Sequence, residues 1–367
     1  MISIGNITWG GTGKTPFVEW LVQYLKEKKI KPAVLIRGYM MKSFLQNAVI
    51  LRPKAEESHV RNAWDSSALS GLQNDGSDEA SMLQQFFPDV PVLVGRNRIQ
   101  NAKQALKEHS RDVFVLDDGF QHWKLERDLD IVAIDCMNPF GNGCLIPRGI
   151  LREPLKSLTR ADLFVLTKTD WGKENISLIK KKLHSINPDA PVIETVHRPT
   201  ALLDLCDPSV KESLEFLNGK TVAAFCGIGQ PDSFARLLKS LGADVVVFKA
   251  FGDHQLYRQE DVLSLLNFCR EKKVQTLVTT QKDAVKLTPF LNLFKGNVTK
   301  HETWRHSERS PEGEVKNLIG EEILRSAIGL PQDDSKEKFR FLSVKMEIQI
   351  TQGHEELCGR ISRLLDR

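Results

Sequence analysis

The chain has 367 residues and a net charge of +4, long enough for two domains that each bury a core. Its Lys and Arg residues are dispersed rather than striped, which sets nucleic-acid binding aside. Six scattered cysteines include no C-x-x-C pair, which argues against zinc and for a reducing compartment, and no apolar run reaches the length of a bilayer span.

The first element is the apolar run Ile2 to Ile7, followed by Thr8-Trp-Gly-Gly-Thr-Gly-Lys-Thr-Pro16. A strand that breaks into glycines and then a Lys-Thr pair is a phosphate cradle. Gly10, Gly11 and Gly13 permit backbone turns around Thr12 that turn consecutive N–H groups toward an anion. Lys14 adds a point charge on the β- and γ-phosphates of a bound nucleotide, and Thr15 a hydroxyl for Mg²⁺. A helix opening near Pro16 is expected next, with Phe17, Val18, Leu21, Val22 and Leu25 on one face and its positive end on the phosphates. Thr8 stands where the G-x-x-x-x-G-K-[ST] pattern has its first glycine. The chain begins almost inside this strand, so a targeting or membrane-anchoring segment is expected upstream.

Apolar runs follow at 33–36, 48–51, 90–94, 113–116, 131–134 and 163–166, with helical stretches at 79–87 and 98–109 between them. Short buried strands alternating with helices predict an α/β fold, a P-loop parallel sheet covered on both faces. The segment 53–74 is polar and aperiodic, a surface excursion. Residues 195–220 read as a connector, and a second, smaller α/β domain follows: strand 222–225, helix 232–241, strand 244–248, helix 261–270 and strand 276–279. The expected domains are therefore 1–195, with 339–367 returning to it, and 196–286, with 287–338 as a mobile insertion.

Acids and bases gather at strand ends. Asp117 and Asp118 close the run 113–116, where a P-loop enzyme holds its metal ion. Arg96 and Arg98 follow strand 90–94 at the edge where open α/β sheets bind ligands, placed to neutralise a transferring phosphoryl group. Asp78 and Glu79 open a helix, and helix-terminal charge preference alone accounts for both. In 251–257, Asp253 beside His254 is a candidate proton-transfer pair.

Taken together, Gly5-Asn6 with Gly10-Gly-Thr-Gly-Lys-Thr-Pro16, Arg37-Gly-Tyr39, Asp78-Glu79, Gly95-Arg-Asn-Arg98, Asp117-Asp-Gly-Phe-Gln-His122, Phe140-Gly-Asn-Gly143, Leu151-Arg-Glu-Pro154, Gly227-Ile-Gly229, Asp253-His254 and Lys282-Asp-Ala-Val285 resemble the tetraacyldisaccharide 4′-kinases of lipid A synthesis. The resemblance implies an ATP- and Mg²⁺-dependent kinase acting on an acylated glucosamine disaccharide, a monomer peripheral to a membrane. It implies that Asp78 is the general base on the sugar 4′-hydroxyl and that His254 pairs with it. It further implies that Asp117 and Asp118 are the metal-site acids and that Arg96 and Arg98 belong to the phosphoryl-transfer site. Glu79, Arg37, Tyr39, Gln121, His122 and Arg152 fall on the substrate side. Gln281 replaces an acid usual before Lys-Asp-Ala-Val. The long insertions point to a eukaryotic organellar member, mitochondrial in location.

The rival is a P-loop GTPase or partner-binding switch, since Thr167-Lys-Thr-Asp170 resembles the [NT]-K-x-D element that reads guanine. Against it, Asp117-Asp-Gly-Phe does not supply the D-x-x-G spacing of a switch.

Overall fold

A computed structural model describes residues 1–37, 49–51, 78–108, 110–207, 210–253, 255–291 and 339–366, with backbone alone at 49–51, Asp78 and Glu108. The excursion 53–74 and residues 292–338 of the expected insertion lie outside these. The chain forms two compact units, Met1–Arg198 with Met346–Arg367, and Pro199–Lys345.

The first unit is built on β1 (Ile2–Asn6), β2 (Pro32–Ile36), β3 (Val49–Leu51), β4 (Val92–Val94), β5 (Val113–Asp117), β6 (Leu129–Asp135), β7 (Leu163–Thr167) and the first half of β8 (Val192–Asp204). They lie in the order β3-β4-β2-β5-β1-β6-β7-β8. All these pairs are parallel except β3 on β4. Strands β1, β2, β6 and β7 are buried along their whole length, which is why they read as continuous apolar runs rather than alternating ones. Alternate residues feed two cores. Leu129 and Ile131 of β6 face one, with Phe17, Val18, Leu21, Val22 and Leu25 of α1 (Lys14–Glu27). Val132 and Ile134 face the other, with Ile179 and Leu183 of α4 (Ile176–Ile186). Burying each such side chain is worth ~1.5–3 kcal/mol. Between them in the chain lie α2 (Asp78–Phe86) and α3 (Arg98–Glu108).

The parallel register fixes where the chemistry collects. Ile4 pairs with Asp117, Asn6 with Ala133 and Asp135 with Thr167, so β1, β5, β6 and β7 end together. That edge, at the carboxyl ends of parallel strands, is where open sheets take ligands.

The second unit holds β10 (Thr221–Cys226), β11 (Asp244–Ala250), β12 (Thr276–Thr280) and the start of β13 (Arg340–Gln352), in parallel order β11-β10-β12-β13. Its helices are α5 (Pro231–Ser240), α6 (Gln259–Glu271) and α7 (Gln281–Lys286). The stretch expected as a connector is instead ordered: β8 runs on to Asp204, β9 (Lys211–Glu212) pairs back on it antiparallel, and a 3₁₀ turn spans Leu214–Leu217. The expected insertion also starts too early at 287, because Leu287 is buried in this unit's core with Phe290 and Leu291 packed against it. Residues up to Lys345 likewise belong here, not with the first unit, since β13 pairs with β12 from Arg340 to Val344. The chain then rejoins the first unit, where α8 (His354–Leu365) buries Leu357 and Ile361 in the α1 core.

Candidate functional site

The cradle leaves β1 at Asn6, a fully buried polar residue that ties the loop together. Its Nδ2 donates to the Thr8 carbonyl at 2.7 Å, and its Oδ1 accepts from Lys14 Nζ at 2.9 Å. Thr8, in the first-glycine position, is bridged to Leu151 rather than turning freely. Thr167 Oγ1 donates to the Thr12 carbonyl at 2.8 Å and Lys168 Nζ to the Gly11 carbonyl at 3.3 Å, while Lys168 is paired with Asp135 at 2.5 Å. Gly10 and Gly13 sit at φ 112° and 77°, the left-handed region that disfavours a side chain. Gly11 has no such φ, so it is not required by backbone strain. A Cβ on Gly10 or Gly11 would meet nothing within 4 Å, so the space they face is open to a ligand. Gly13 faces inward instead, where a Cβ would lie 2.5 Å from His197 Cε1. It also caps α1, with no side-chain cap. The helix starts at Lys14, two residues before Pro16, and its first amides are free of any side-chain acceptor. Together these features form an anion site.

Beside the cradle, β5 ends in the two aspartates, which have opposite environments. Asp118, at φ 52°, is paired with Lys14 at 3.1 Å and with Arg152 Nη1 at 2.8 Å to both oxygens. Against the cost of burial, Lys14 and Arg152 hold its carboxyl down to about 2. Asp117 is 6 % exposed, and its Oδ1 is buried with no protein partner. Burial pushes Asp117 up to about 6, with Lys14 opposing and the charges of Asp118 and Glu79 adding to the rise.

Arg98 is not on the phosphoryl-facing edge. It is 2 % exposed and turned inward, where it donates to the Asp117 carbonyl at 2.7 Å and the Asp118 carbonyl at 3.2 Å. It is a strut under the aspartates. Arg96 and Arg37 are exposed. Gln121 Nε2 donates to the Asn6 carbonyl at 3.0 Å and Arg152 donates to Gln121 Oε1 at 3.4 Å, so both belong to the scaffold of the cradle. His122 is half-buried, its pKa lowered by burial and then by Arg98, Arg127 and Arg37. Glu79 stands near enough to Asp117 to raise it. Asp78 opens α2, but its side chain lies outside the described residues, as do Tyr39 and His254.

Sequence reasoning gave Asn6 no role beyond its place in the resemblance, and it passed over Asp135 and His197. Asn6 and Asp135 carried a signal, a polar residue closing a mostly apolar strand. His197 carried none, because only the fold brings it to Gly13.

A model of the tetraacyldisaccharide-1-P 4′-kinase family matches residues 1–306. The tetraacyldisaccharide 4′-kinase of Halothermothrix orenii is 39 % identical over 297 residues, covering 78 % of this chain and 74 % of that protein. That of Syntrophus aciditrophicus is 36 % identical over 300 residues, covering 80 % and 76 %. In three dimensions the chain is similar to LpxK from Aquifex aeolicus, solved in complex with ATP, at TM-score 0.65 and 26 % identity over 99 % of this chain and 88 % of that one. With glycine cradle, Lys14 and paired aspartates standing where the family match runs, the chain belongs to the tetraacyldisaccharide-1-P 4′-kinase family.

Proposed function

We propose that the protein is a kinase that transfers the γ-phosphate of ATP to the 4′-hydroxyl of a tetraacyldisaccharide 1-phosphate, a step of lipid A biosynthesis. The observation that carries this is Lys14, shared between Asn6 and Asp118 on the rim of an open anion cradle. The α1 amides and Lys14 bind and orient the phosphates. The fold of the chain around Asn6 and Thr167 keeps them fixed while charge develops on the transferring group. Mg²⁺ fits this site: Asp117 offers an unpartnered buried carboxylate oxygen and Thr15 a hydroxyl, the hard oxygen donors that cation takes. When bound, the ion neutralises charge between the β- and γ-phosphates. Asp118, already held by Lys14 and Arg152, serves to place Lys14 rather than to meet the metal. Asp78 is the base that takes the hydroxyl proton, and His254 supports proton transfer. The enzyme works as a monomer at a lipid surface.

The test is transfer of labelled phosphate from ATP to a tetraacyldisaccharide 1-phosphate. Product is expected with the native protein, and Asp78→Ala or His254→Ala should each lose roughly 10²- to 10⁴-fold in kcat, the range for positioned acid–base groups, with ATP binding kept. No transfer to the disaccharide would refute the assignment. A second reading draws on Lys168, which lies along Gly11 as a guanine-reading element would in a GTPase. GTP displacing ATP from the cradle, with no acceptor phosphorylated, would favour it.

A further inference from the structure

Two stretches of the second unit have no part in the site above, Gly227-Ile-Gly229 and Lys282-Asp-Ala-Val285. The fold brings them together at the carboxyl edge of that unit's sheet. Gly227 follows β10, Phe251 follows β11 and Asp283 lies just past β12, with β10 between the other two strands. Asp283 is fully buried. Its Oδ2 accepts from the Gly227 amide at 3.0 Å and from Thr280 Oγ1 at 2.7 Å, and its Oδ1 accepts from the Tyr257 hydroxyl at 2.9 Å. Lys286 Nζ stands 3.9 Å from Oδ1. A Cβ on Gly227 would lie 3.1 Å from each of Asp283 Oδ1, the Tyr257 hydroxyl and the Gly252 carbonyl, a convergence that any side chain there would crowd. A Cβ on Gly229 would come 3.3 Å from Asp253 Oδ2. The Phe251 amide donates to the Cys226 carbonyl at 2.8 Å, and the Tyr257 ring packs edge-on against Phe225 and Phe251.

We propose that Asp283 and Tyr257 are positioning residues for proton transfer, clamping the loop 251–257 that carries Asp253 and His254 in sequence. This rests on the kinase reading and on the role it gives His254. Burying a carboxylate away from water is costly, and a well-packed apolar side chain is often the more stable choice. Helix α7 does not require the carboxylate, since Thr280 already caps it, accepting from the Asp283 amide at 3.2 Å. What the carboxylate adds is a tie to segments 26 and 56 residues away. Burial, and then the Asp283 charge, push the Tyr257 hydroxyl up, so it stays protonated and remains a donor. Ring packing is non-directional, whereas a hydrogen bond to a buried charge fixes a distance and an angle. Both ends of the loop are therefore tied, 251 to β10 and 257 to α7, on either side of the acid and the histidine. Proton transfer needs such placement, because an error of about 1 Å costs on the order of 10²-fold in rate.

The experiment measures kcat, with ATP and a tetraacyldisaccharide 1-phosphate both saturating, for Tyr257→Phe, Asp283→Asn, His254→Ala and the double variant Tyr257→Phe/His254→Ala, beside hydrogen exchange of the 251–257 amides. Tyr257→Phe keeps the ring and removes only the hydroxyl. It is expected to lower kcat roughly 10- to 100-fold with ATP binding kept. Exchange at 251–257 should quicken about tenfold, with the amides of the cradle unchanged. Asp283→Asn, whose amide still offers Tyr257 a hydrogen bond, should lose less. The double variant should lose no more than His254→Ala alone, because groups that act through one another are not additive, whereas a merely structural loss would multiply. Native-like exchange at 251–257 in Tyr257→Phe, an unchanged kcat, or a multiplicative loss in the double variant would each overturn the proposal. An inactive native protein would refute the kinase reading instead, and a fully active His254→Ala the role of that residue. In either case the exchange result still decides whether the clamp exists.

Discussion

Lys14 and Asp118 are 15 % exposed each, and both charges are satisfied mainly by one another, Asn6 and Arg152. Replacing Lys14 by Ala removes the charge that balances the phosphates, while Arg152 still compensates Asp118. Turnover should fall by roughly 10²- to 10³-fold, the loss typical for removing a preorganised electrostatic donor, at nearly unchanged thermal midpoint. Steady-state kinetics and a melting curve check both halves. Asp117 adds a pH dependence. Burial pushes its carboxyl up to about 6, so below that pH a cation has to displace a proton. Mg²⁺ affinity should fall about tenfold per pH unit below the folded pKa and level off above it. Titration of Mg²⁺ binding across that range tests this, and Asp117→Asn should flatten the profile.

At the level of elements, what positions the aspartates is the end of β5 rather than the aspartates themselves. Arg98, at the start of α3, forks across two consecutive carbonyls of that end. Arg98→Leu would strip two buried acceptors at once, and a loss of about 3 kcal/mol is expected, since breaking buried charged bonds leaves groups unpaired. Arg98→Lys should not restore it, because an ammonium cannot span both carbonyls. Chemical denaturation of the two variants measures the effect. Sequence showed the strand, the acids and the arginine, because apolar runs and charged ends are local signals. It did not show that Arg98 points inward, since the carbonyls it serves are 19 and 20 residues away. The same limit applies to β8: Pro199 and charged residues inside Val192–Asp204 broke its pattern and hid a 13-residue strand. In contrast, the cradle was legible almost whole, because glycine turns and Lys-Thr at a helix start need adjacent residues.

Over the whole molecule, the P-loop sheet and the smaller α/β unit followed from the alternation of strands and helices. The boundaries did not, because β8 and β13 each carry residues of both units. The first unit also contains a latent acid sensitivity. Burial, and then the Lys168 charge, hold the His197 imidazole down to about 4, against about 6.5 in an unfolded chain. Neutral His197 therefore favours the fold. Its contribution is complete above about 6.5 and is lost as pH falls toward the folded value, by up to ~3 kcal/mol. Denaturant midpoints measured between neutral and acid pH should show this slope, and His197→Gln should lessen it.

The resting site has one more consequence, for encounter rather than chemistry. Lys14 is already neutralised by Asp118, which Arg152 also binds, and Lys168 by Asp135. A cradle that holds its cations in such pairs projects little field into solvent. An incoming nucleotide is then not drawn from a distance but has to exchange partners on contact, taking Lys14 from Asp118 as it settles. The pair that keeps the empty loop in shape thus also makes nucleotide capture a local event, slow to respond to ionic strength and governed by how readily one ion pair opens.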